Sequence, residues 1–347
     1  MTLDHEKVLL STGVRSRLPI VVAVHSTTLG QAVGGCRMWR YDDWSAALQD
    51  ALRLSSAMTM KCALAGLPLG GGKSVIALTP GTVLTPALRT AALHDLGDLI
   101  DSLDGSYGVG EDVGTTADDM TVIAERTPHV YGRPASAGGS GEPSAPTALG
   151  VYESLVATCE RLFGTADLSG RTVTVLGLGQ VGHRLAERLA ADGAKLTVTD
   201  IDPDKQALAA ALGADWVPVE TAATTPADVL VPAALGGLLT RELVPQLRCA
   251  AIVGPANNQL ASDDVADLLA EHDVLWAPDY LVNAGGVVAG FHLELGSKDP
   301  AVAEAAVTAI GTTLREVLDR AEAEGTTPSA AARAVALDRL TAASMTA

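Results

Sequence analysis

The stretch that decides the fold lies near the middle of the chain, where residues 172–182 read Thr-Val-Thr-Val-Leu-Gly-Leu-Gly-Gln-Val-Gly. An apolar strand at 173–176 runs into a glycine-rich turn, the turn opens an amphipathic helix, and a second strand at 196–199 ends in Asp200. This succession of strand, glycines, helix, strand and acid is typical of a dinucleotide-binding site. The alternative, a merely structural glycine turn, is disfavoured by the surrounding elements.

Each part of this segment has a task in binding a dinucleotide. Gly177 permits the tight turn, Gly179 lets the backbone approach a pyrophosphate, and Gly182 lets the helix pack closely on the strand. The free N–H groups and the dipole of the helix N-terminus favour the pyrophosphate anion. Asp200 can accept hydrogen bonds from the 2′-hydroxyl of the adenosine ribose and would repel a 2′-phosphate. The pattern therefore predicts NAD as the cofactor.

The composition bounds the kind of protein. A chain of 347 residues with 48% hydrophobic and 19% charged residues is expected to fold as a soluble globular protein of two domains. Its formal net charge of −17 argues against nucleic acid and acidic membrane surfaces as partners. Four distant cysteines and seven scattered histidines predict reduced thiols in a cytoplasmic protein, with no metal site. We expect neither a secretory signal nor a membrane span.

Apolar runs and helix-capping residues predict strands and helices before residue 132. In chain order we expect a buried strand at 19–24, a helix after Asp42 and Asp43, a glycine-rich loop at 68–73 followed by a strand at 74–78, a helix at 86–103 and a helix from about Thr116. The stretch 132–146 is too rich in Gly, Pro and Ser to lie inside an element, so we expect a domain boundary there.

Beyond residue 146, strands alternate with helices in the βαβ rhythm of a doubly wound parallel sheet. The predicted strands are 172–176, 196–200, 216–219, 228–231, 249–253 and 274–276, and the last helices are roughly 301–324 and 328–344. The chain is therefore predicted to belong to the α/β class, with a Rossmann-type domain in its C-terminal part.

Two lysines are candidates for chemistry. Lys61 follows Met-Thr-Met and Lys73 follows three glycines. A phosphate-binding P-loop is excluded, because its spacing would require glycine at position 67, which is Leu67. A lone lysine is ordinarily a solvated surface charge, but both of these lie in apolar surroundings. A buried ammonium group needs an anionic partner or a lowered pKa, which favours a functional role.

Four polar residues lie where loops are expected. Asp112 stands among the glycines of 108–114, where it could cap the next helix or act as an acid/base near a lysine. Asn257 and Asn258 follow a predicted strand, and ligands of open α/β sheets bind at the carboxyl ends of strands. For these asparagines, and for Asn283, a turn-forming role is the alternative.

A series of short motifs runs along the chain in an order and spacing that one family shares. The motifs are Leu29-Gly30, Gly34-Gly-Cys-Arg37, Met58-Thr-Met-Lys61, Pro68-Leu-Gly-Gly-Gly-Lys73, Glu111-Asp-Val-Gly-Thr115, Gly138-Gly-Ser-Gly141, Thr147, Gly177–Gly182, Leu235-Gly-Gly237, Ala256-Asn-Asn-Gln-Leu260 and Ala277–Gly286. Over nearly its full length, the chain resembles the amino-acid dehydrogenases of the glutamate/leucine/phenylalanine/valine type.

The resemblance implies a reversible oxidative deamination of an L-α-amino acid to its 2-oxo acid and ammonia, with NAD+ taking the α-hydride. Lys61 would hold the substrate carboxylate. Lys73 would be a lysine of low pKa that activates water, and Asp112 would shuttle protons to and from the amino group. Two cationic residues close together would lower each other's pKa, and a base with a pKa near neutrality suits this chemistry.

The resemblance also assigns the binding residues. Those implied for the substrate, besides Lys61, are Val33, Gly34, Gly35, Met58, Gly110, Asn257, Asn258, Val287 and Gly290. Those implied for the cofactor are Thr147, which would meet the nicotinamide amide, and Gly177, Gly179, Gln180, Val181, Gly182, Asp200, Ile201, Ala234, Leu235, Ala256, Asn257 and Asn283.

The domain organisation follows from the boundary and the resemblance together. We expect residues 1–133 to form an α/β domain for substrate binding, catalysis and oligomerisation, and residues 134–324 to form the NAD-binding Rossmann domain. The C-terminal helix, about 325–347, is expected to pack back on the first domain. An active-site cleft between the domains would close around a hinge near 132–141. A homo-oligomer is implied, and the partners are the amino acid, the 2-oxo acid and ammonia.

The substrate class depends on a few positions. Enzymes of this family that act on glutamate have a lysine where this chain has Val33, so an apolar side chain is favoured. Gly110 and Gly290 stand where branched-chain enzymes carry larger residues, and this favours an aromatic or bulky aliphatic substrate. Pro255 and Ala234 depart from the usual residues beside the cofactor. The alternatives to this reading are a non-standard amino acid in a biosynthetic pathway and a non-catalytic NAD-binding sensor.

Overall fold

Two β-sheets, one mixed and one parallel, organise the two units into which the chain divides. The computed structural model describes residues 4–345. Unit 1 comprises the chain up to Glu142, the segment Gly290–Asp299 and the chain from Ala336 on, whereas unit 2 comprises Pro143–Ala289 and Pro300–Val335. The break after Glu142 lies within the stretch 132–146 where a boundary was expected, and after residue 133, the predicted end of the first domain.

Hydrogen bonds explain why the segment after residue 133 belongs to unit 1. The Glu294 carboxylate, in the π-helical turn Phe291–Leu295, accepts from the backbone N–H groups of Gly132 (2.8 Å) and Ser140 (2.9 Å). At the other end of the chain, Arg339 donates to the Ala63 carbonyl (3.0 Å) within the same unit.

Unit 1 is built on a five-stranded sheet with helices on both faces. Its strands are β1 (Lys7–Thr12), β2 (Pro19–Ser26), β3 (Ala32–Arg40), β4 (Gly70–Leu78) and β5 (Tyr107–Glu111), and its first helices are α1 (Trp44–Leu64), α2 (Pro86–Asp101) and α3 (Ala117–Ala124). In the order β1-β2-β4-β3-β5, β2 is antiparallel to β1 and β4, and β3 is parallel to β4 and β5. The apolar side chains of α1 pack on one face of the sheet and those of α2 and α3 on the other. The strand expected at 19–24 and the helix capped by Asp43 are both confirmed.

The prediction of a glycine-rich loop at 68–73 is wrong, because the three glycines and Lys73 lie inside strand β4. A Cβ added at Gly71 would lie 2.1 Å from the backbone nitrogen of Thr59 on α1. A Cβ added at Gly72, on the other face, would lie 2.6 Å from the ring of Tyr107. The glycines are therefore required for close packing on both sides of the strand, and not for a turn.

Unit 2 contains the predicted doubly wound sheet. Its strands are β6 (Thr172–Leu176), β7 (Lys195–Thr199), β8 (Asp215–Trp216), β9 (Val229–Pro232), β10 (Ala251–Ile252) and β11 (Leu275–Trp276). All of the pairings are parallel, and the order β11-β10-β9-β6-β7-β8 is that of a Rossmann fold, with the switch point beside β6. The remaining α-helices of the described chain are α4 (Ser144–Phe163), α5 (Gln180–Ala191), α6 (Gln206–Ala211), α7 (Val219–Ala222), α8 (Val265–Glu271), α9 (Asp279–Val282), α10 (Gly285–Gly290), α11 (Pro300–Glu324) and α12 (Pro328–Ser344). Helix α12 begins in unit 2 and belongs to unit 1 from Ala336 on.

Within residues 4–345, no helix is long and apolar enough to cross a membrane. Over the same range, no three His, Cys, Asp or Glu side chains are grouped so that they could hold a metal ion.

Candidate active site

The sheet of unit 1 brings together the two residues expected to carry the chemistry. Lys73 lies on β4 and Asp112 directly follows β5, the two strands that flank β3. The Lys73 Nζ lies 2.8 Å from the Asp112 Oδ2, and only 6% of the Lys73 side chain is exposed. A Cβ added at Gly35 on β3 would lie 2.6 Å from the Cβ of Asp112. Gly35 therefore leaves the space in which the ion pair forms across the strand.

A short loop holds Asp112 over the sheet. The Thr115 hydroxyl accepts a hydrogen bond from the Asp112 N–H (3.0 Å) and donates to the Cys36 carbonyl of β3 (2.8 Å). Helix α3 is capped by Thr116, which forms a capping box with Asp119. Thr116, and not Asp112, therefore caps the next helix, which was the alternative role considered for Asp112. The expectation of a loop from residue 108 on is wrong, because the first four of these residues belong to β5.

A second cation reaches the same oxygen of Asp112. The Arg37 Nε donates to the Asp112 Oδ2 (3.0 Å), and its Nη1 donates to the Asp50 Oδ2 on α1 (2.8 Å). Asp50 also accepts from the Tyr41 hydroxyl (2.7 Å) and from Arg53 (2.8 Å). Sequence reasoning gave Arg37 no role. The sequence signal that could have identified it is a guanidinium group inside a strand whose other residues, up to Trp39, are all apolar or glycine.

Burial and these charges set the protonation of the pair. Burial lowers the pKa of Lys73, and the Arg37 guanidinium lowers it further, whereas the Asp112 carboxylate opposes both. Burial raises the pKa of Asp112, but the attraction of Lys73 and Arg37 holds it below the usual range. The structure therefore combines an ionised carboxylate with a lysine that loses its proton more easily than a solvated one. Arg37 is the cation that lies close enough to lower the pKa of Lys73 in this way.

The other residues of unit 1 that were expected to bind the substrate lie on strands β3 and β5, on helix α1 and at Gly290. Val33, Gly34 and Gly35 are on β3, Gly110 is on β5, Met58 and Lys61 are half-buried on α1, and Gly290 opens the returning segment. A Cβ added at Gly34 would lie 1.9 Å from the Gly72 carbonyl oxygen, so packing requires this glycine. A Cβ at Gly110 or at Gly290 would meet no atom closer than 3.8 Å. These two glycines leave open space.

In unit 2, the glycine-rich turn has the geometry that a pyrophosphate requires. Gly177 has a φ of +109°, which only glycine adopts readily, and a Cβ at Gly182 would lie 2.0 Å from the Gly177 carbonyl oxygen. A Cβ at Gly179 would meet no atom within 4 Å. Gly179 is also the N-cap of α5 and supplies no side-chain hydrogen bond. The first N–H groups of α5, at Gln180 and beyond, are therefore open to an anion.

Strand β7 ends where the acid was expected. Asp200 accepts hydrogen bonds from the N–H of Leu178 (2.7 Å) and of Asp202 (2.9 Å), which fix its carboxylate beside the glycine turn. The side chains of Ile201 and Leu235 are 89% and 87% exposed, more than any other large apolar side chain in the described part of the chain. Apolar groups left bare beside this turn fit contacts with the rings of a dinucleotide.

A buried amide oxygen is left without a partner at the carboxyl end of the same sheet. Asn283 donates through its Nδ2 to the Asn257 Oδ1 (2.8 Å) and to the Pro255 carbonyl (3.2 Å). Its Oδ1 is buried and receives no hydrogen bond from any residue described. A buried acceptor without a donor is rare in proteins and points to a ligand that supplies one.

The remaining expected residues of unit 2 flank these groups. Thr147, on α4, donates through its hydroxyl to the Pro143 carbonyl (2.8 Å) and packs against Gly286, whose added Cβ would lie 3.0 Å from that hydroxyl oxygen. Val181 lies in the first turn of α5, Ala234 precedes Leu235, Ala256 and Asn258 border Asn257, and Val287 is half-buried on α10.

The sequence analysis gave no role to Gln259, a buried residue whose hydrogen bonds hold the loop that contains Asn257. It is fully buried, donates to the Gly254 carbonyl (2.7 Å), accepts from the Trp276 indole N–H (3.0 Å) and donates its backbone N–H to Asp279 (2.9 Å). A polar residue at the first position after an Asn-Asn turn carries no distinctive pattern. Its role becomes visible only when the strands are assembled.

The fold and these two sets of residues define a dehydrogenase of the α/β class, and comparison with known proteins specifies it. Residues 6–129 match the family model described as "Glu/Leu/Phe/Val dehydrogenase, dimerisation domain", and residues 200–347 match "Glutamate/Leucine/Phenylalanine/Valine dehydrogenase". The chain belongs to this family, and it is an amino-acid dehydrogenase.

Three relatives illustrate the similarity. The chain is 44% identical to leucine dehydrogenase of Bacillus cereus over 286 residues, which cover 82% of this chain and 77% of that protein. It is 42% identical to phenylalanine dehydrogenase of Bacillus thermotolerans over 291 residues, with coverage of 82% and 75%. The crystal structure of L-tryptophan dehydrogenase from Nostoc punctiforme superposes with a TM-score of 0.85 at 35% identity, with coverage of 98% and 97%.

Proposed function

We propose that this enzyme catalyses the reversible, NAD-dependent oxidative deamination of an apolar L-amino acid, aromatic or branched-chain, to the 2-oxo acid and ammonia. The observation that carries the proposal is the buried ion pair between Lys73 and Asp112, 2.8 Å apart. A lysine of lowered pKa beside an ionised carboxylate supplies the base and the proton carrier that the reaction needs.

In this proposal, Lys73 and Asp112 of unit 1 each carry out some of the proton transfers of the reaction. NAD+ would accept the hydride from the α-carbon, which converts the amine into an iminium ion. Neutral Lys73 takes a proton from water as the water oxygen bonds to the iminium carbon. The Asp112 carboxylate first takes a proton from the substrate ammonium group and later returns it to the amino nitrogen of the water adduct. Ammonia then leaves as the C–N bond breaks, and the carbonyl forms as the hydroxyl proton passes to the Asp112 carboxylate. Lys61 holds the substrate carboxylate through its charge.

The residues of unit 2 bind the cofactor in this proposal. The open N-terminus of α5 would hold the pyrophosphate, and the Asp200 carboxylate would accept hydrogen bonds from the adenosine ribose. The Asn283 Oδ1, which receives no hydrogen bond from the described residues, would accept one from the nicotinamide carboxamide, and Thr147 would bind the same amide. A carboxylate at position 200 repels a 2′-phosphate, which favours NAD over NADP. Asn257 orients substrate and cofactor.

The open space at two glycines supports a large apolar substrate. Gly110 lies opposite Gly35 in the strand register, two residues before Asp112, and its missing side chain leaves room at the reacting face. Gly290 leaves similar space in its own segment. Val33 is apolar and offers no charge to a side-chain carboxylate, which disfavours glutamate as the substrate. Differences of one methylene group in such a pocket change selectivity by about 10- to 200-fold.

The test is the initial rate of NADH formation at alkaline pH for each of the twenty L-amino acids, with NADP+ measured in parallel. We expect NAD+-dependent turnover with phenylalanine, tryptophan, leucine or valine. Turnover of glutamate alone, or a preference for NADP+, would overturn the substrate or cofactor assignment. An enzyme that binds NADH but oxidises none of the twenty would refute the proposed activity and leave a non-standard amino acid or a sensor role.

We further propose a homo-oligomer, since the family model that matches residues 6–129 is described as a dimerisation domain. Light scattering during size-exclusion chromatography measures the mass directly. A monomer at the concentrations used for the activity assay would contradict this part of the proposal.

A further inference from the structure

Arg37 links the catalytic pair to helix α1. Its guanidinium bridges two carboxylates, Asp112 through Nε and Asp50 through Nη1, at 3.0 Å and 2.8 Å. Both the Arg37 and the Asp50 side chains are largely shielded from solvent. The bridge therefore belongs to the interior of unit 1, where the low dielectric strengthens each interaction.

The bridge is held at its far end by a second layer of hydrogen bonds. The Tyr41 hydroxyl, just after β3, donates to the same Asp50 oxygen that receives Arg37, and Arg53 donates to the other oxygen. Asp50 is therefore fixed by three donors on separate side chains. A guanidinium is planar and rigid, so fixing one edge on Asp50 also fixes the direction of the Nε–H towards Asp112.

At Asp112, Arg37 and Lys73 compete for one oxygen. Both donate to Oδ2, at 3.0 Å and 2.8 Å. The permanent charge of Arg37 neutralises part of the carboxylate charge, and it repels the Lys73 ammonium as well. Both effects weaken the hold of Asp112 on a protonated Lys73.

We propose that Arg37 is a positioning residue of the amino-acid dehydrogenase reaction, which orients the Asp112 carboxylate from its anchor on Asp50 and frees Lys73 to act as a base. This inference rests on the proposed roles of Lys73 and Asp112. Arg37 acts through Asp112. Besides Arg37, the titratable and charged groups that face the pair are Cys36 on β3 and Tyr107 on β5, with Asp119 of α3 beside Cys36. Those that face the bridge are Asp50 and Arg53 on α1 and Tyr41.

Two consequences separate this role from a purely structural one. Removal of the guanidinium charge leaves Asp112 to Lys73 alone, so Lys73 holds its proton to a higher pH. The acid side of the kcat/KM profile should then move up by about one pH unit. A lysine at position 37 keeps the charge but reaches one carboxylate and not two. It should restore the midpoint of the profile but lower kcat about tenfold, because the carboxylate is less well oriented.

The experiment compares the wild type with Arg37→Gln, Arg37→Lys and Asp50→Asn, using NAD+ and the best substrate of the amino-acid panel. Arg40→Gln is the matched control, because Arg40 carries the same charge on the same strand but is exposed and donates to the Thr82 carbonyl (3.1 Å). Its profile should match that of the wild type. Asp50→Asn removes an anion and should not move the midpoint upward. In parallel, the pH dependence of Lys73 acetylation by acetic anhydride, read by peptide mass spectrometry, reports its protonation without turnover.

The two readouts distinguish the failure of this inference from that of the proposed function. If the wild type is active and Arg37→Gln folds, but neither the midpoint of the kcat/KM profile nor that of Lys73 acetylation differs from the wild type, the proposed role of Arg37 is refuted. If no amino acid is oxidised but the labelling midpoint still rises in Arg37→Gln, the proposed activity fails and the control of Lys73 by Arg37 stands. If Arg37→Gln does not fold, as judged by circular dichroism, Arg37→Lys decides: a kcat equal to that of the wild type overturns the inference.

Discussion

Gly35 allows a sharp test of the site, because its missing side chain is what lets Asp112 approach Lys73. In Gly35→Ala the new methyl carbon would lie 2.6 Å from the Cβ of Asp112 and 2.6 Å from the carbonyl oxygen of Glu111. Carbon atoms in contact are about 3.5 to 4.0 Å apart, so Asp112 or the strand must move by about 1 Å. One of the two contacts is with backbone, which cannot rotate away as a flexible side chain could.

A displacement of this size is large relative to a hydrogen bond. It would lengthen the 2.8 Å contact between Lys73 and Asp112 beyond hydrogen-bonding range. Misplacement by 1 Å at a reacting group costs about a hundredfold in rate, and overpacking costs about 1–3 kcal/mol of stability. We therefore expect Gly35→Ala to lower kcat by about two orders of magnitude while the protein still folds.

The assay is steady-state NADH formation with the best amino acid, together with thermal unfolding to confirm the fold. Gly110→Ala is the paired variant, since Gly110 faces Gly35 in the register but its added methyl group would meet nothing closer than 3.8 Å. We expect Gly110→Ala to act mainly through KM and to disfavour bulky substrates. If Gly35→Ala keeps a kcat within about twofold of the wild type, the geometric argument for the Lys73–Asp112 pair is wrong.

Three further predictions follow from the described contacts. Lys73→Ala should abolish turnover but leave the NADH affinity, measured by fluorescence titration, nearly intact, and substantial activity in this variant would contradict the role of Lys73 as the base. Because the pKa of Lys73 is lowered, the rate of the wild type should rise with pH and reach its midpoint below the ordinary lysine value of about 10.4. Asp200→Ala should weaken NADH binding in the same titration, and an unchanged affinity would contradict the cofactor assignment. Gln259→Leu leaves the Trp276 indole N–H and the Gly254 carbonyl without their partner and should lower the free energy of unfolding by about 1–3 kcal/mol in urea denaturation; a variant as stable as the wild type would show that the loop does not depend on this residue.

The elements that could be predicted from sequence are those whose signal is local. The Rossmann strands and the opening of α5 follow from apolar runs and glycine spacing, and the structure has them within a few residues. The three glycines before Lys73 led to the wrong prediction of a loop, because glycine is typical both of turns and of closely packed strands. Only the approach of α1 and of Tyr107 to β4 shows that packing is the reason here.

The candidate site divides in the same way. Lys73 and Asp112 stand out in sequence because charged residues among apolar or glycine-rich neighbours are unusual. The bridge from Asp112 through Arg37 to Asp50 could not be predicted, since it joins β5, β3 and α1 through side chains far apart in the chain. Such a network depends on strand register, and no pattern within a single segment encodes it.

The glycines of unit 1 show why sequence similarity alone leaves the substrate open. Gly34 and Gly35 cannot gain a methyl group without displacing backbone, whereas Gly110 and Gly290 can. Substitution at the first two would disturb the fold or the catalytic pair, so these positions constrain the chemistry. Substitution at the other two only fills space. In the proposed reaction these positions would adjust the size of the substrate pocket while the chemistry stays the same. Relatives named for leucine, phenylalanine and tryptophan are compatible with this division, since the catalytic geometry and the pocket volume depend on different residues.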